Sequence, residues 1–230
     1  MRLALIVSLL FTAMRPCVAI AQNDNKTAKK LLLGFDPRQI RPPDPAKGKP
    51  LARVFDRYID PVALKASSAN LTQSQADQLS GLIIGPLFDR YAKEKKITVT
   101  AKDIDGFYRG MNTILGKSDF PQRANFGKSK DAETKKTERE IAERSVKNWK
   151  LSKALYEQYG GTVIFQQANP LEPVGAYRQF LEQMEKGRVF EVFDDSNRKI
   201  FWHYFRRKHP SELSPEDINY AVPWWLQKHD

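Results

Sequence analysis

The chain has 230 residues, of which 41% are hydrophobic and 28% are charged, so it carries enough apolar material for a core of ordinary size. This composition excludes a wholly disordered chain, and because the single long apolar run lies near the amino end, it also excludes a membrane protein with several spans. Lysine and arginine (38 residues) outnumber the 27 acidic residues, and the net charge of +11 favours acidic partners without choosing among them.

The first 21 residues have the pattern of a secretory signal peptide. Arg2 precedes an apolar run over residues 3–14, and Ala19 and Ala21 are small residues where signal peptidase requires them. The run is shorter than the roughly 20 residues that cross a bilayer as a helix, so we predict export, cleavage near Ala21 and no transmembrane anchor. Cleavage also removes Cys17, the one cysteine, which excludes disulfides and zinc–thiolate sites from the mature chain.

The next segments change from extended to helical patterns. Residues 22–50 are rich in proline and charge, which predicts an exposed, extended leader, with Phe35 among the residues that could dock on the core. From Leu51, apolar residues recur at helical spacing, and Pro61 would end the resulting short helix near Asp60.

Three helices are predicted in the central part of the chain. Thr72 can cap a helix over residues 73–95, and Thr100 can cap a second helix that forms an antiparallel pair with the first. A third, long helix over residues 132–159 is charged along its first half, which predicts that this half projects into solvent, and Gly160-Gly161 supply its end.

The remaining residues predict two more helices and little strand. Residues 173–186 and 195–207 have helical apolar faces, whereas residues 162–166 read as a short strand whose weak candidate partner is 188–193. The prediction is an all-α, mostly helical fold with at most a short two-stranded element.

Four segments follow from these patterns. They are a signal peptide (1–21), a Pro-rich extended leader (22–50), a helical module (51–161) and a helical C-terminal extension packed on the same core (162–230).

The central segment resembles a known family. A helix ending in residues 88–93 leads through the connector Ile97-Thr98-Val99-Thr100 into a helix start with acids at Asp103 and Asp105. This succession resembles the helical N-terminal, peptide-binding domain of SurA-type periplasmic chaperones and foldases over roughly residues 48–160. The resemblance implies a bacterial periplasmic location and a helical module that holds aromatic-rich, unfolded segments.

The likeness stops short of the family's catalytic domain. The residues after Gly161 are too few for a parvulin domain, and its glycine-rich strands and paired histidines are not seen. A prolyl isomerase site is therefore not implied, although a divergent peptidyl-prolyl cis-trans isomerase is kept as an alternative.

No constellation of residues points to catalysis, to a metal or to a cofactor. His203 and His209 lie six apart, which does not match metal-ligand spacing on a helix face. The carboxylate pairs Glu182/Glu185 and Asp194/Asp195 have the ordinary appearance of helix-surface acids. We predict no cofactor, no metal site and no catalytic residues.

The aromatic residues of the three central helices are the candidate binding residues. They supply either a core or a partly open groove with flat contact surface for extended polypeptide. The candidates are Phe88, Tyr91, Phe107, Tyr108, Trp149 and Tyr156. The pair Trp224-Trp225 could latch onto the core or present an apolar patch to a partner.

The basic residues support a second hypothesis. They are scattered along the chain, as in the clusters 128–136 and 206–208, which is typical of solvated faces. In an exported protein they favour anionic envelope surfaces rather than nucleic acid. The first hypothesis is thus a periplasmic, chaperone-like protein that binds unfolded segments, and the alternative is a basic accessory envelope protein that docks on anionic surfaces.

Overall fold

The computed structural model describes residues 35–44, 48–64, 71–118, 124–167 and 169–227. The predicted signal peptide and residues 22–34 of the predicted leader lie outside the described residues.

The described part of the chain is mostly helical, as predicted. It contains five α-helices: α1 (Gln73–Glu94), α2 (Ala101–Gly116), α3 (Ala132–Tyr159), α4 (Val174–Lys186) and α5 (Asp195–Arg206). Their positions agree with the sequence prediction. Within the described residues, no helix combines the length and the apolar character needed to cross a bilayer.

The helix starts follow from their capping residues. Thr72 and Gln75 form a reciprocal capping box at the start of α1, and Thr100 and Asp103 form another at the start of α2. At the far end of α3, Gly160 has φ +65°, a conformation that side chains with a Cβ rarely adopt, so the helix ends there.

The helix predicted from Leu51 to Asp60 is wrong, because these residues form a β-hairpin. Strands β1 (Ala52–Val54) and β2 (Arg57–Ile59) pair antiparallel, and β3 (Phe190–Val192) pairs antiparallel with the other edge of β1. The sheet order is β2-β1-β3, so the prediction of at most two strands is also corrected to three.

A buried arginine in the central strand holds the turns at one end of this sheet. Arg53 is 2% exposed, and its guanidinium donates hydrogen bonds to the carbonyl oxygens of Phe55 (2.5 Å) and Arg188 (3.1 Å). Both of those residues have positive φ, 54° and 57°. The Phe55 N–H also donates to the Val189 carbonyl at 2.7 Å, so tertiary contacts stabilise a turn that its own residues do not favour.

The segment predicted as a strand over residues 162–166 forms only isolated bridges. Ile164 bridges antiparallel to Glu172 and to Glu212. The pairing of this segment with residues 188–193 is therefore wrong, since the latter supply β3 to β1.

In the part of the chain that the structure describes, buried side chains form three clusters. The largest joins the sheet, α1, the second half of α3, α4 and α5. A second cluster joins α2, the middle of α3 and a short 3₁₀ helix, Trp224–Leu226, and a third forms around Tyr220. Because α1 and α2 belong to different clusters, the predicted pairing of these two helices is replaced by packing of α2 on α3.

Candidate functional site

Two of the predicted binding residues are ordinary core residues of α1. Phe88 is 6% exposed and its ring centroid lies 4.8 Å from that of Tyr177 on α4. Tyr91 is fully buried, and its hydroxyl donates to the Ala154 carbonyl (3.2 Å) and to the side chain of Gln158 (3.0 Å). Burial raises the pKa of the Tyr91 phenol. These two rings have no open surface to offer to a peptide.

Three other predicted residues lie together in a groove between α2 and α3. Phe107 is fully buried, Trp149 is 8% exposed, and Tyr108 is partly buried at the edge of the same cluster. The sixth predicted residue, Tyr156, lies apart from them against Tyr220, at 4.8 Å between ring centroids. The prediction thus grouped six residues that the structure divides among three places.

The groove is filled by residues of the same chain. Trp225 lies with its ring centroid 5.2 Å from Phe107 and 5.9 Å from Trp149, both in edge-to-face geometry. Trp224 meets Trp225 edge-to-face, with 5.3 Å between ring centroids, and the two tryptophans are 6% and 3% exposed. Of the two roles considered for the tryptophan pair, the structure shows the latch. Residues 222–227 are called the tryptophan segment below.

A glycine in the groove wall lets the tryptophan segment approach. A Cβ built at Gly110 of α2 would lie 2.9 Å from the carbonyl carbon of Trp225 and closer still to the carbonyl oxygen. Real Cβ atoms do not come that close to a backbone carbonyl. The absence of a side chain at Gly110 is therefore required for the observed position of the tryptophan segment.

The opposite edge of the groove is formed by Phe126, in the loop between α2 and α3. The side chain of Asn112 on α2 donates to the Phe126 carbonyl (3.0 Å) and accepts from the Phe126 N–H (2.8 Å). This pair of bonds holds the Phe126 ring edge-to-face with Phe107 at 6.0 Å. Nothing in the spacing of Asn112 and Phe126 indicates that they pair.

The groove contains a buried polar atom for which the described residues supply no partner. The indole Nε1 of Trp149 is buried and has no hydrogen-bond acceptor among the described residues. The face of the same ring receives the Lys153 ammonium, 5.5 Å from the ring centroid. A buried N–H without an acceptor is uncommon and points to a group that another ligand could satisfy.

A second candidate surface lies on α5. A surface pocket of about 370 Å³ is lined by Arg198, Lys199, Trp202, His203, Arg206 and Arg207. Arg198 is neutralised by a bidentate pair with Glu185 (2.8 and 2.7 Å). Arg206 stacks over Trp202 at 4.6 Å and pairs with Glu182 at 3.5 Å. Lys199, Arg207 and the exposed His203 line the same pocket. This concentration of basic side chains makes the surface suited to anions.

The carboxylates considered for catalysis have structural partners instead. Glu182 pairs with Arg178 at 2.8 Å, and Glu185 pairs with Arg198. Asp194 caps α5 by accepting from two backbone N–H groups of its first turn, which lowers its pKa. Of the two histidines, His203 is exposed, whereas His209 is buried with its Nε2 3.0 Å from the Tyr204 carbonyl oxygen.

The structure reveals a buried acid that the sequence prediction missed. Glu172 is 3% exposed, and the Tyr204 hydroxyl donates to its carboxylate at 3.3 Å. Burial raises the pKa of this carboxyl well above its ordinary value, against the opposing effect of the Tyr204 hydrogen bond. Its sequence neighbours Leu171 and Pro173 are apolar, and an acid within an apolar run is the signal that could have found it.

This acid sits in a sealed interior rather than in a cleft. Tyr177 and Ser152 share a buried hydrogen bond of 2.7 Å nearby, and Tyr220 donates to the Leu171 carbonyl at 2.6 Å. Within the described residues, no group of three or more His, Cys, Asp or Glu side chains could hold a metal ion. The aromatic groove and the basic face of α5 are therefore the two candidate sites.

Comparisons with known proteins identify no relative of this arrangement: no family model, no curated protein and no solved structure gives a significant match to the chain.

Proposed function

We propose that the protein binds extended, aromatic-containing segments of unfolded polypeptide in the groove between α2 and α3. The role is chaperone-like, without an isomerase site of its own, and it is exerted in the periplasm after removal of the signal peptide. The resemblance of residues 48–160 to the N-terminal domain of SurA-type chaperones supports this proposal.

The observation that carries the proposal is the tryptophan segment itself. The groove accommodates a short piece of polypeptide in which Pro223 precedes two aromatic side chains. Phe107 and Trp149 meet the inserted Trp225 ring edge-to-face. Aromatic contacts of this kind supply affinity at low cost in side-chain entropy, so an external segment of like composition would be held in the same way.

The test is binding of a labelled, unfolded polypeptide rich in tryptophan and phenylalanine to the purified protein, followed by fluorescence anisotropy. We expect binding that changes little between about 50 and 500 mM salt, since apolar contacts are not screened. No binding at either salt concentration, together with no delay of the polypeptide's aggregation, would contradict the proposal.

Two matched tyrosine substitutions test whether the polypeptide binds in the groove. Tyr108→Ala removes a partly buried ring from the groove edge, and Tyr58→Ala removes a partly buried ring that stacks on Phe193 in the sheet. We expect Tyr108→Ala to weaken binding at least about fivefold, the effect of losing roughly 1 kcal/mol. Tyr58→Ala should bind like the wild type. Equal effects of the two changes would place the binding elsewhere.

The basic face of α5 favours a second candidate function, docking on anionic envelope surfaces. Lys199 and Arg207 lie on the pocket-bearing side of the helix, and both are exposed. Vesicles with anionic lipids should bind the protein at low salt and release it as salt rises. Lys199→Ala/Arg207→Ala should weaken this binding more than Lys102→Ala/Lys135→Ala, two exposed lysines on other helices. Equal losses of vesicle binding in the two double variants would indicate that binding depends on net charge alone.

A further inference from the structure

We propose that the tryptophan segment is a displaceable internal ligand of the groove, and that the preferred clients are segments in which a proline precedes two adjacent aromatic residues. A client binds by taking the place of Trp224 and Trp225. This inference rests on the proposed function and adds to it the sequence class of the client and the way in which access is controlled.

The tryptophan segment has a firm anchor immediately before it. The Tyr220 hydroxyl donates to the Leu171 carbonyl at 2.6 Å, and the Tyr220 ring lies tilted against that of Tyr156. This anchor lies in the third core cluster, apart from the groove. The segment can therefore leave the groove while Tyr220 keeps its place, so Tyr220 marks the hinge.

The tryptophan segment also carries its own turn. The Leu226 N–H donates to the Pro223 carbonyl at 2.8 Å, and the Gln227 side chain donates to the carbonyls of Asn219 and Val222, both at 2.9 Å. These bonds close within residues 219–227 and do not depend on the groove. Displacement therefore leaves a turn whose backbone bonds are retained, which lowers the cost of opening.

The fit of the tryptophan segment leaves room for a better ligand. It covers Trp149, but among the described residues no acceptor reaches the indole N–H of that residue. A client whose backbone carbonyl reaches this Nε1 would gain a hydrogen bond that the internal ligand does not provide. An external peptide that makes this hydrogen bond would therefore bind the groove more tightly than the tryptophan segment does.

The close backbone contact at Gly110 restricts the conformation in which a client can bind. The main chain of Trp225 lies against the bare backbone of α2 at this glycine. A client must place its own backbone there, with its aromatic side chain directed toward Phe107 and Trp149. The groove therefore selects the geometry of two adjacent aromatic residues in a turn, for which the preceding proline fixes one backbone angle in advance.

The experiment uses a fluorescent peptide that copies residues 221–227 (Ala-Val-Pro-Trp-Trp-Leu-Gln) as the probe. Trp224→Ser/Trp225→Ser removes the internal aromatic residues and changes no residue of α2 or α3. The apparent affinity of the groove equals its intrinsic affinity multiplied by the fraction of molecules in which the groove is open. We therefore expect this variant to bind the probe at least about tenfold more tightly than the wild type.

The control changes two exposed residues of the same segment. Val222 and Leu226 are 38% and 46% exposed, so Val222→Ser/Leu226→Ser should bind the probe as weakly as the wild type does. If the tryptophan variant and the wild type bind with equal affinity, the segment is not a competitor and the inference is overturned while peptide binding stands. If neither binds the probe, the inference is also overturned, and the unfolded-polypeptide assay alone decides the proposed function.

A measurement on the wild-type protein avoids any dependence on the folding of variants. Hydrogen exchange at the amides of Trp224 and Trp225 should accelerate when saturating probe peptide is added. Exchange at the hinge residue Tyr220 and at Leu226, whose N–H donates within the segment, should not change. Unchanged exchange at Trp224 and Trp225 at a probe concentration that saturates binding would show that the peptide binds without displacing the segment.

Discussion

Gly110 shows how one missing side chain determines the position of a distant segment. In an open helix, replacing glycine by alanine stabilises by up to about 1 kcal/mol. At Gly110 the added methyl group would collide with the Trp225 carbonyl. We expect Gly110→Ala to lower the free energy of unfolding by about 1–3 kcal/mol, with the cost limited by release of the tryptophan segment. Chemical denaturation monitored by tryptophan fluorescence measures it.

Gly106 is the matched control on the same helix. A Cβ at Gly106 meets only the Arg109 guanidinium, at 4.0 Å. Gly106→Ala should therefore stabilise the protein by roughly 0.5–1 kcal/mol, the ordinary helix-propensity gain. Destabilisation by both substitutions would show that the contact with Trp225 is not the cause at Gly110.

Glu172 makes stability depend on pH. Its folded-state pKa lies well above the ordinary value of 4.5, so the folded state favours the protonated carboxyl. The resulting stabilisation is complete below pH 4.5 and is lost as pH rises toward the folded-state pKa, by about 1.4 kcal/mol per pH unit.

Glu172→Gln should remove this dependence, because the amide is neutral throughout and can still accept from Tyr204. We expect the variant to be more stable than the wild type at pH 8 and similar at pH 4, as measured by thermal unfolding across that range. Glu216→Gln changes an exposed acid and should leave the pH profile unaltered. Parallel pH profiles of stability for the wild type and Glu172→Gln would contradict a raised pKa of Glu172 in the folded state.

At the scale of the element, the start of α2 carries a second and opposite pH effect. Burial of Asp103 raises its pKa, but hydrogen bonds from Lys150 and Thr100 outweigh this and lower the pKa to about 2. Because the folded-state pKa is below the ordinary value of 3.8, the stabilisation is present above pH 3.8 and is lost as pH falls toward 2.

Asp103→Asn keeps a capping side chain but removes the ion pair with Lys150. We expect a loss of about 1 kcal/mol at pH 7 and a flatter acid limb of the stability curve between pH 4 and 2. Equilibrium denaturation at a series of pH values measures both effects. An acid limb as steep as that of the wild type would assign the effect to other carboxylates.

The elements that the sequence predicted well are those with local determinants. Thr72, Thr100 and Gly160 are local start and stop signals, and the helices begin and end beside them. The hairpin of β1 and β2 lacks such signals, since its turn residues Phe55 and Asp56 are not the glycine and asparagine that such turns prefer. Its stability comes from residues 188–191, far away in sequence, which no local pattern reveals.

In the candidate site, too, some features follow from local sequence patterns and others depend on residues far apart in sequence. Apolar periodicity in each helix indicates a buried face, and the structure brings Phe107 of α2 and Trp149 of α3 together in one cluster. Insertion of Trp225 between them depends on a close backbone contact at Gly110 across more than a hundred residues of sequence. Spacing alone could not distinguish these groove residues from Phe88 and Tyr91, which belong to the main core.

At the scale of the molecule, residues 51–161 and 162–230 do not correspond to separate cores. The sheet takes β1 and β2 from the first segment and β3 from the second, and α4 and α5 share a cluster with α1. We expect a fragment ending at residue 161 to lack a cooperative unfolding transition in circular dichroism and calorimetry. A sharp transition in the fragment would show that the helical module is stable without the later strand.

The contact of Arg53 with Arg188 also has a kinetic consequence. The bond joins residues 135 positions apart, so a large loop must close before the central strand gains its second neighbour. During synthesis, the amino-terminal strands must wait until the residues around position 190 have emerged. The three-stranded sheet is therefore completed only after most of the chain has been made.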